Sequence, residues 1–526
     1  MYNICQWLSY TPPPKRRMTL QVNISPCDCG RPGWSAIAAA LAAILAGCGG
    51  DDTLVPNSGP MGAYYVSPTG SDSNPGTLAA PFLTLSHAQL VMEGPGNPKM
   101  LLLRAGTYPS TALTFTSADN GETWAYYPPD GYNSAILDGG SIGMNTGTNI
   151  VNINGASNIT ISGLTIQNFR NWGIGIHGGP ADPVGGFPTA APTASDVTII
   201  YNIIKNGFTD NNTSTANSGW SGGGIYASGS TTNLRILNNA VLNQYGSGIR
   251  VIPTDTSGTT NPNGNYNGLT ISNNVCLETN QATGDNGAIY IQDTNFNSTN
   301  ITISNNFIRD YQSNPSLRNV AVPLRDVAIY LDEGASNTNI TGNIVAATAY
   351  PIASPGASTI STTAFYMSTG HNDTWSGNIV DLGTLGVILD VNYELHSISD
   401  PAMSGNSITN NIFIGNWSGP QKSYGSSFGP YAYASTPNLS LSALPTVMHN
   451  IYYNYGSGAL STTGPQFSDA DPITNIDPQV SGDVDANYAL APTSLAFSSP
   501  VNFPPIIGNW GPPGYLIPTN GTPPSP

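Results

Sequence analysis

Ile271-Ser272-Asn273-Asn274-Val275-Cys276-Leu277 and Ile303-Ser304-Asn305-Asn306-Phe307-Ile308-Arg309 are one phrase written twice, 32 residues apart. Each begins with an apolar residue, passes through two small or polar residues to an asparagine, and returns to apolar residues. The phrase extends in both directions. Upstream it reads Ile161-Ser162-Gly163, Ile199-Ile200-Tyr201-Asn202 and Ile236-Leu237-Asn238-Asn239. Downstream it reads Ile340-Thr341-Gly342-Asn343, Trp375-Ser376-Gly377-Asn378 and Ile408-Thr409-Asn410-Asn411. The leading positions are 32–38 residues apart. Self-similarity at that period marks a solenoid, in which each repeat buries its apolar face only against its neighbours.

A second phrase lies between copies of the first: Gly173-Ile174-Gly175-Ile176, Gly224-Ile225-Tyr226-Ala227, Gly248-Ile249-Arg250-Val251, Ala288-Ile289-Tyr290-Ile291, Ala328-Ile329-Tyr330-Leu331, Ala364-Phe365-Tyr366-Met367 and Gly386-Val387-Ile388-Leu389. Its period-two alternation is that of a half-buried strand, and no helical pattern intervenes. The fold class read from this is all-β, a parallel β-helix of about eight coils. The shortest steps, 24 residues from Ile225 to Ile249 and 22 from Phe365 to Val387, give the bare coil, so longer steps carry insertions. Asn202, Asn239, Asn274, Asn306, Asn343, Asn378 and Asn411 fall in one column, where amides can bond along a ladder. These asparagines are expected to be structural.

Composition agrees with strands and turns. Charged residues make up 8% of the chain, and there are 59 glycines and 43 prolines, where a helical enzyme would be richer in Lys, Glu and Arg. The net charge is −16. Beyond residue 48 the cations are Lys99, Lys205, Lys422 and seven arginines, which argues against a nucleic-acid partner and weakens a polyanionic substrate. Cys276 aligns with Val241 and Ile308 as a packed apolar thiol, so neither a disulfide framework nor a cysteine metal site is expected.

The first residues read as an export address. Arg16, Arg17 and Arg31 precede an apolar run, Trp34 to Ala46, too short for a comfortable membrane span. The run ends Leu45-Ala46-Gly47-Cys48 and resembles a bacterial lipoprotein signal. That resemblance implies loss of Cys5, Cys27 and Cys29 with the signal and lipidation of Cys48. An uncleaved anchor or a plain secretory signal are the alternatives, and Met18 is an alternative start. The expected organisation is signal 1–47, linker 48–61, cap and first coils 62–156, coils and closing coil 157–512, and a loose Pro-rich tail 513–526. The expected localisation is lipid-anchored at the envelope (outer membrane or periplasm) or secreted, as a monomer.

Tyr64-Tyr65-Val66-Ser67-Pro68-Thr69-Gly70-Ser71-Asp72-Ser73-Asn74-Pro75-Gly76-Thr77, Pro81-Phe82-Leu83-Thr84-Leu85 at an expected capping helix, and Arg104-Ala105-Gly106-Thr107-Tyr108 open the repeat region. Asp477-Pro478, Asn487-Tyr488-Ala489-Leu490 and Pro492-Thr493-Ser494 close it. In these segments the chain resembles right-handed parallel β-helix carbohydrate-active proteins, the pectate-lyase-like group of lyases, epimerases and glycoside hydrolases. Within the group it is most similar to family 141-type glycoside hydrolases. The resemblance covers roughly residues 62–512 and implies a right-handed solenoid with an N-terminal cap acting on a polysaccharide or oligosaccharide. It does not name the reaction, because one fold hosts many chemistries.

Long Gly/Pro/Asn/Thr-rich segments lie before the second-phrase strand at 205–222, 310–326 and 346–362, and after it at 180–195, 253–267 and 391–403. They are expected to wall a groove floored by that sheet. With the apolar residues inward, Tyr226, Arg250, Tyr290, Tyr330 and Tyr366 form an outward column about 4.8 Å per step, able to hold a glycan. The alternative is a ladder that only covers the sheet. Asp293, Asp332, Glu333 and Asp390 follow the column, with Asp293 beside Glu333 and Asp332 beside Gln292. Adjacent coils then bring carboxylates to about 5 Å and alternate coils to about 9–10 Å, spans that bracket those of glycosidases. Asp332 is the expected general acid, and Glu333 or Asp293 the nucleophile or base. Calcium ligation and solvated turn acids are the alternatives. Uronate β-elimination, often calcium-assisted, needs a base and a cation, for which Arg250, His177 and His371 are the candidates. His177 is also counted with the glycan-holding residues, although both histidines read equally as polar turn residues. Hydrolysis requires no cofactor. A noncatalytic glycan-binding solenoid is the third reading.

Overall fold

In the computed structural model the described residues run from 62 to 518, apart from 110–111, 142–147, 183–184, 209–221, 254–263, 283–285, 295, 312–323, 347–359, 382–388, 395–403, 416–430, 433–444, 454–468, 475, 482–487 and 505–507, with the side chains of 324–325, 360–362, 389–394, 431–432 and 481 also excluded. The export address, Cys48, the linker, residues 519–526 and most of the insertions lie outside them. Among the described residues no helix is long and apolar enough to cross a membrane.

Three long parallel sheets of twelve, ten and twelve strands make a β-helix. One coil runs through Thr270–Ser272 in the first sheet, Val275–Leu277 in the third and Asn286–Gln292 in the second, then returns to the first at Ile301–Ser304. The eight copies of the first phrase occupy consecutive first-sheet strands from Thr160–Ser162 to Ser407–Thr409. Tyr64–Val66, Met100–Leu103 and Thr123–Tyr126 precede them and Thr446–Met448 follows. Among the described residues the solenoid is therefore twelve strands deep along this sheet, not about eight. The early strands escaped the repeat because they lack its asparagine, yet Trp124 pairs with Ile161 and extends the column Ile161, Ile199, Ile236, Ile271, Ile303, Ile340, Trp375, Ile408 and Val447. This column lies in the central core. The helix Leu85–Met92 buries Leu85, Ala88 and Met92, and its N-cap Thr84 accepts the His87 amide.

The asparagine column forms as expected. Each Nδ2 donates to the next residue's Oδ1 at 2.9–3.1 Å, from Asn202 through Asn239, Asn274, Asn306, Asn343, Asn378 and Asn411 to Asn450. Each also donates to a backbone carbonyl of the preceding coil, as Asn274 does to Ile236. The ladder ends on Asp469. The residue before each ladder asparagine has positive φ: Tyr201, Asn238, Asn273, Asn305, Gly342, Gly377, Asn410 and His449. Asn and Gly tolerate that left-handed conformation best, which explains the recurrent Asn-Asn and Gly-Asn pairs. The turn therefore selects both letters, the first for backbone conformation and the second for its buried amide.

In the second sheet the ladder register skips Ala288, Ala328 and Ala364. Ala288 and Ile289 both join the central core, as do Ala328 and Ile329. The pleat is thus broken once per coil, and after it Tyr290, Tyr330 and Tyr366 fall in register facing away from the core.

The segment after residue 487 runs back over the outer face of the third sheet. Tyr488, Leu490, Val501, Phe503 and Trp510 pack on Leu242, Val275, Phe307, Ile344, Ile379 and Ile412. Tyr515 and Ile517 pack against the same cluster, and Arg309 Nη2 donates to Pro518 O at 2.9 Å. Residues 513–518 are therefore docked rather than loose. The apolar residues that hold them are spaced irregularly, so no periodic signal marks them.

Candidate functional site

The site is built on Asn286–Gln292 and Leu324–Asp332, neighbouring strands paired Tyr290 to Tyr330 and Gln292 to Asp332. Strict alternation would send Asp332 and Glu333 to opposite faces. Glu333 instead has φ of 41° and Gly334 of 93°. This left-handed turn ends the strand and swings the second carboxylate to the outward side, where Gln292 Nε2 donates to Glu333 Oε2. Asp332 accepts from Tyr290 Oη at 2.6 Å and from the Glu333 amide at 3.0 Å. It is 8% exposed, and Glu333 is half-buried. Two consecutive carboxylates thus share one patch, each held by a different residue of the neighbouring coil.

Asp293 does not join them. It is fully buried, and its Oδ2 accepts the Ser298 amide at 2.7 Å. Burial raises the phenol of Tyr266, a central-core residue, and Asp293 adds to that shift. Its carboxylate holds the turn. Asp390 is also displaced. Phe365 pairs with Val391 and Tyr366 with Asn392, so the register lies four residues beyond the one expected at Val387. An even slip preserves inward and outward alternation, and the apolar pattern cannot detect it. Asp390 therefore precedes the tyrosine position, and its side chain lies outside the described residues.

The outward column exists, but it is not an open floor. Tyr226, Arg250, Tyr290, Tyr330 and Tyr366 are in register and expose only 0–3%. The four tyrosines form a second apolar layer with Trp172, Phe187, Ile252 and Val327. Trp172 stacks on Tyr226 with centroids 4.8 Å apart, Tyr290 meets Tyr330 at 4.9 Å, and Tyr330 meets Tyr366 at 4.6 Å. At the N-terminal end Tyr226 Oη donates to Asp182 Oδ2 at 2.8 Å, and burial, with the Asp182 charge adding to it, pushes that phenol well above its ordinary range. His177 is buried too, bonded to Ser228 at 2.9 Å and stacked with Phe187 at 4.8 Å. The column and His177 are therefore buried side chains and not the open glycan-holding face expected of them. Arg250 lies beneath the site, its Cζ 4.2 Å from the Tyr290 ring centroid and its Nη1 2.6 Å from Asn286 Oδ1.

Sequence reasoning missed Phe296, Ser336 and the role of Gln292 as a carboxylate partner. Phe296 has φ of 56°, and its ring packs against Gly334, where an added Cβ would come within 2.7 Å of it. Glycine is thus required beside Glu333 on both conformational and steric grounds. Ser336 is fully buried and bonds His371 Nδ1 at 3.0 Å. No composition or period marks these residues, since an aromatic in the left-handed region is a departure from local preference. Among the described residues no group of three or more His, Cys, Asp or Glu could hold a metal ion.

No family model matches the chain. An uncharacterized protein, YwoF, of Bacillus subtilis (strain 168) is 33% identical over 117 residues, 22% of this chain and 24% of that protein. The chain thus matches about a quarter of that relative's length. Among solved structures, the GH136 lacto-N-biosidase from Eubacterium ramulus aligns over 79% of this chain and 67% of its own, with 12% identity and a TM-score of 0.54. Its selenomethionine derivative aligns with a TM-score of 0.52 at 13% identity, over the same shares of each chain. The fold is a parallel β-helix, the architecture shared with this lacto-N-biosidase.

Proposed function

We propose that this protein is a glycan-cleaving enzyme, a glycoside hydrolase whose reacting carboxylates are Asp332 and Glu333. The carrying observation is their placement on one patch by the left-handed turn at Glu333, with Tyr290 and Gln292 holding one each. Paired carboxylates are the minimal apparatus for glycoside hydrolysis, one donating a proton to the leaving oxygen and the other acting as base or nucleophile. Asp332 accepts on both oxygens, an arrangement suited to its carboxylate form, and so takes the base or nucleophile role. Glu333, the more exposed of the two, donates the proton. These roles reverse those expected from the order of the residues alone. The fold shared with a GH136 lacto-N-biosidase supports a carbohydrate substrate.

Uronate β-elimination is less well supported. The one cation of the outward column, Arg250, is 1% exposed beneath Tyr290 and is not presented to a substrate carboxylate. The deciding experiment is a screen of neutral and acidic polysaccharides with products read by mass spectrometry and ultraviolet absorbance. New reducing ends without absorbance, lost in Asp332→Asn and Glu333→Gln, are expected; absorbing unsaturated products would overturn hydrolysis. Export with acylation at Cys48 belongs to the same reading. Labelled fatty acid incorporated by the wild type and absent from Cys48→Ala tests it.

A further inference from the structure

With the tyrosine column covered, the site needs another surface to grip a sugar. We propose that Phe296 and His371 form a sugar-binding subsite beside Asp332 and Glu333, taking an uncharged pyranose. The inference rests on the carboxylate assignment above for its location, and on four observations for its chemistry.

First, both rings are half-buried rather than covered, with centroids 6.1 Å apart and planes 23° from parallel. Second, they are tied to the acid-bearing turn. Phe296 packs on Gly334, the residue after Glu333, and its amide donates to Asp293 O at 3.0 Å. His371 is bound to Ser336 two residues further on. Third, the proton count at Ser336 orients the imidazole. The Ser336 hydroxyl has one proton and donates it to Gly334 O at 2.7 Å, a carbonyl that can only accept. Ser336 Oγ must then accept both the His371 amide, at 3.1 Å, and His371 Nδ1–H, at 3.0 Å. In the neutral ring this leaves Nε2 as a hydrogen-bond acceptor, the partner a sugar hydroxyl requires. Fourth, Phe296 occupies the left-handed region at φ 56°, a conformation costly for an aromatic residue and characteristic of sites where position is retained for function.

The occupant follows from charge and shape. One face of a pyranose presents C–H bonds, which fit the electron-rich face of an aromatic ring, and its rim presents hydroxyls for Nε2. The neighbouring Asp332 carboxylate repels a uronate or sulfated unit at this position.

The test is native affinity electrophoresis of the full chain through gels holding galactomannan, xyloglucan, mixed-linkage glucan or polygalacturonate, with urea unfolding in parallel. Asn tolerates the left-handed region, so Phe296→Asn should fold with unchanged or higher stability while losing about tenfold in affinity for a neutral polymer. Phe296→Trp should retain binding, and His371→Phe, which keeps a ring but no acceptor, should weaken it. A wild type retarded by none of the polymers, or only by polygalacturonate, overturns the subsite. So does a Phe296→Asn variant that binds like wild type. Turnover that depends on Asp332 but is indifferent to Phe296 sinks the subsite alone. Phe296-dependent binding without turnover of any glycan sinks the carboxylate assignment alone.

Discussion

Tyr290 Oη lies 2.6 Å from Asp332 Oδ2, a bond between two residues 42 positions apart that the coil register brings onto neighbouring strands. The phenol is itself fixed from behind by the Arg250 guanidinium, 4.2 Å from its ring centroid. A buried cation, an aromatic ring and a nearly buried carboxylate therefore stand in sequence across three coils, and the outermost member is the one assigned to chemistry.

Asp332→Asn and Glu333→Gln should each lower kcat by about 10²–10⁴-fold, the usual contribution of a positioned acid or base. Both should leave the urea midpoint close to that of wild type. Tyr290→Phe should retain the ring packing and lose only the bond, a smaller drop of about tenfold, equal to about 1.4 kcal/mol. Steady-state kinetics on the glycan identified by the polysaccharide screen would check all three. Equal losses in Tyr290→Phe and Asp332→Asn would show that the phenol acts directly.

The asparagine ladder should be the most sensitive polar element of the scaffold. Asn274 is fully buried, and its Oδ1 accepts both the backbone amide and the Nδ2 of Asn239. Asn274→Ala strands those donors, each unmet group costing about 1–3 kcal/mol. Equilibrium urea unfolding should show a loss of about 2–4 kcal/mol. Asn273→Gly, which only changes the residue in the left-handed position, should cost well under about 1 kcal/mol.

Stability should fall as pH rises through the weakly acidic range. Burial raises the Glu122 carboxyl from its ordinary 4.5 to about 7, and Asp119 adds to the shift. The folded chain then holds this proton when the unfolded chain has released it, so stability declines between about 4.5 and about 7 and stays lower above that. Asp373 is raised in the same direction by burial. Asp72, Asp130 and Asp138 are lowered and act oppositely, with stability lost only as pH falls below their ordinary 3.8. Urea midpoints at pH 4.5 and 7.5 should differ by less in Glu122→Gln than in the wild type.

Removing residues 488–526 should uncover Phe307, Ile344, Ile379 and Ile412 on the third sheet. An exposed apolar sheet face of that size promotes association. Light scattering should detect oligomers of the truncated chain, while truncation after residue 518 should leave it unchanged.

The parts of the chain that could be read without coordinates are those governed by local, repeated chemistry. Inward isoleucines alternate with period two, and Asn or Gly recurs wherever the backbone must turn left-handed before a buried amide. Each coil solves the same local problem, so the period, the parallel stacking, the asparagine column and the pairing of Tyr290 with Tyr330 follow from the letters. The strands before residue 160 escaped because they meet the same core without the asparagine turn.

The site depended on departures from that repetition. A four-residue slip moved Asp390 without disturbing alternation, and a positive φ turned Glu333 against its period. The turn around Asp293 took that carboxylate out of reach, and the tyrosines that the pattern pointed outward are buried. Alternation specifies only which face of its own strand a side chain leaves from. Whether that face meets solvent, another layer or a second carboxylate depends on segments distant in the chain, and only their packing against one another decides it.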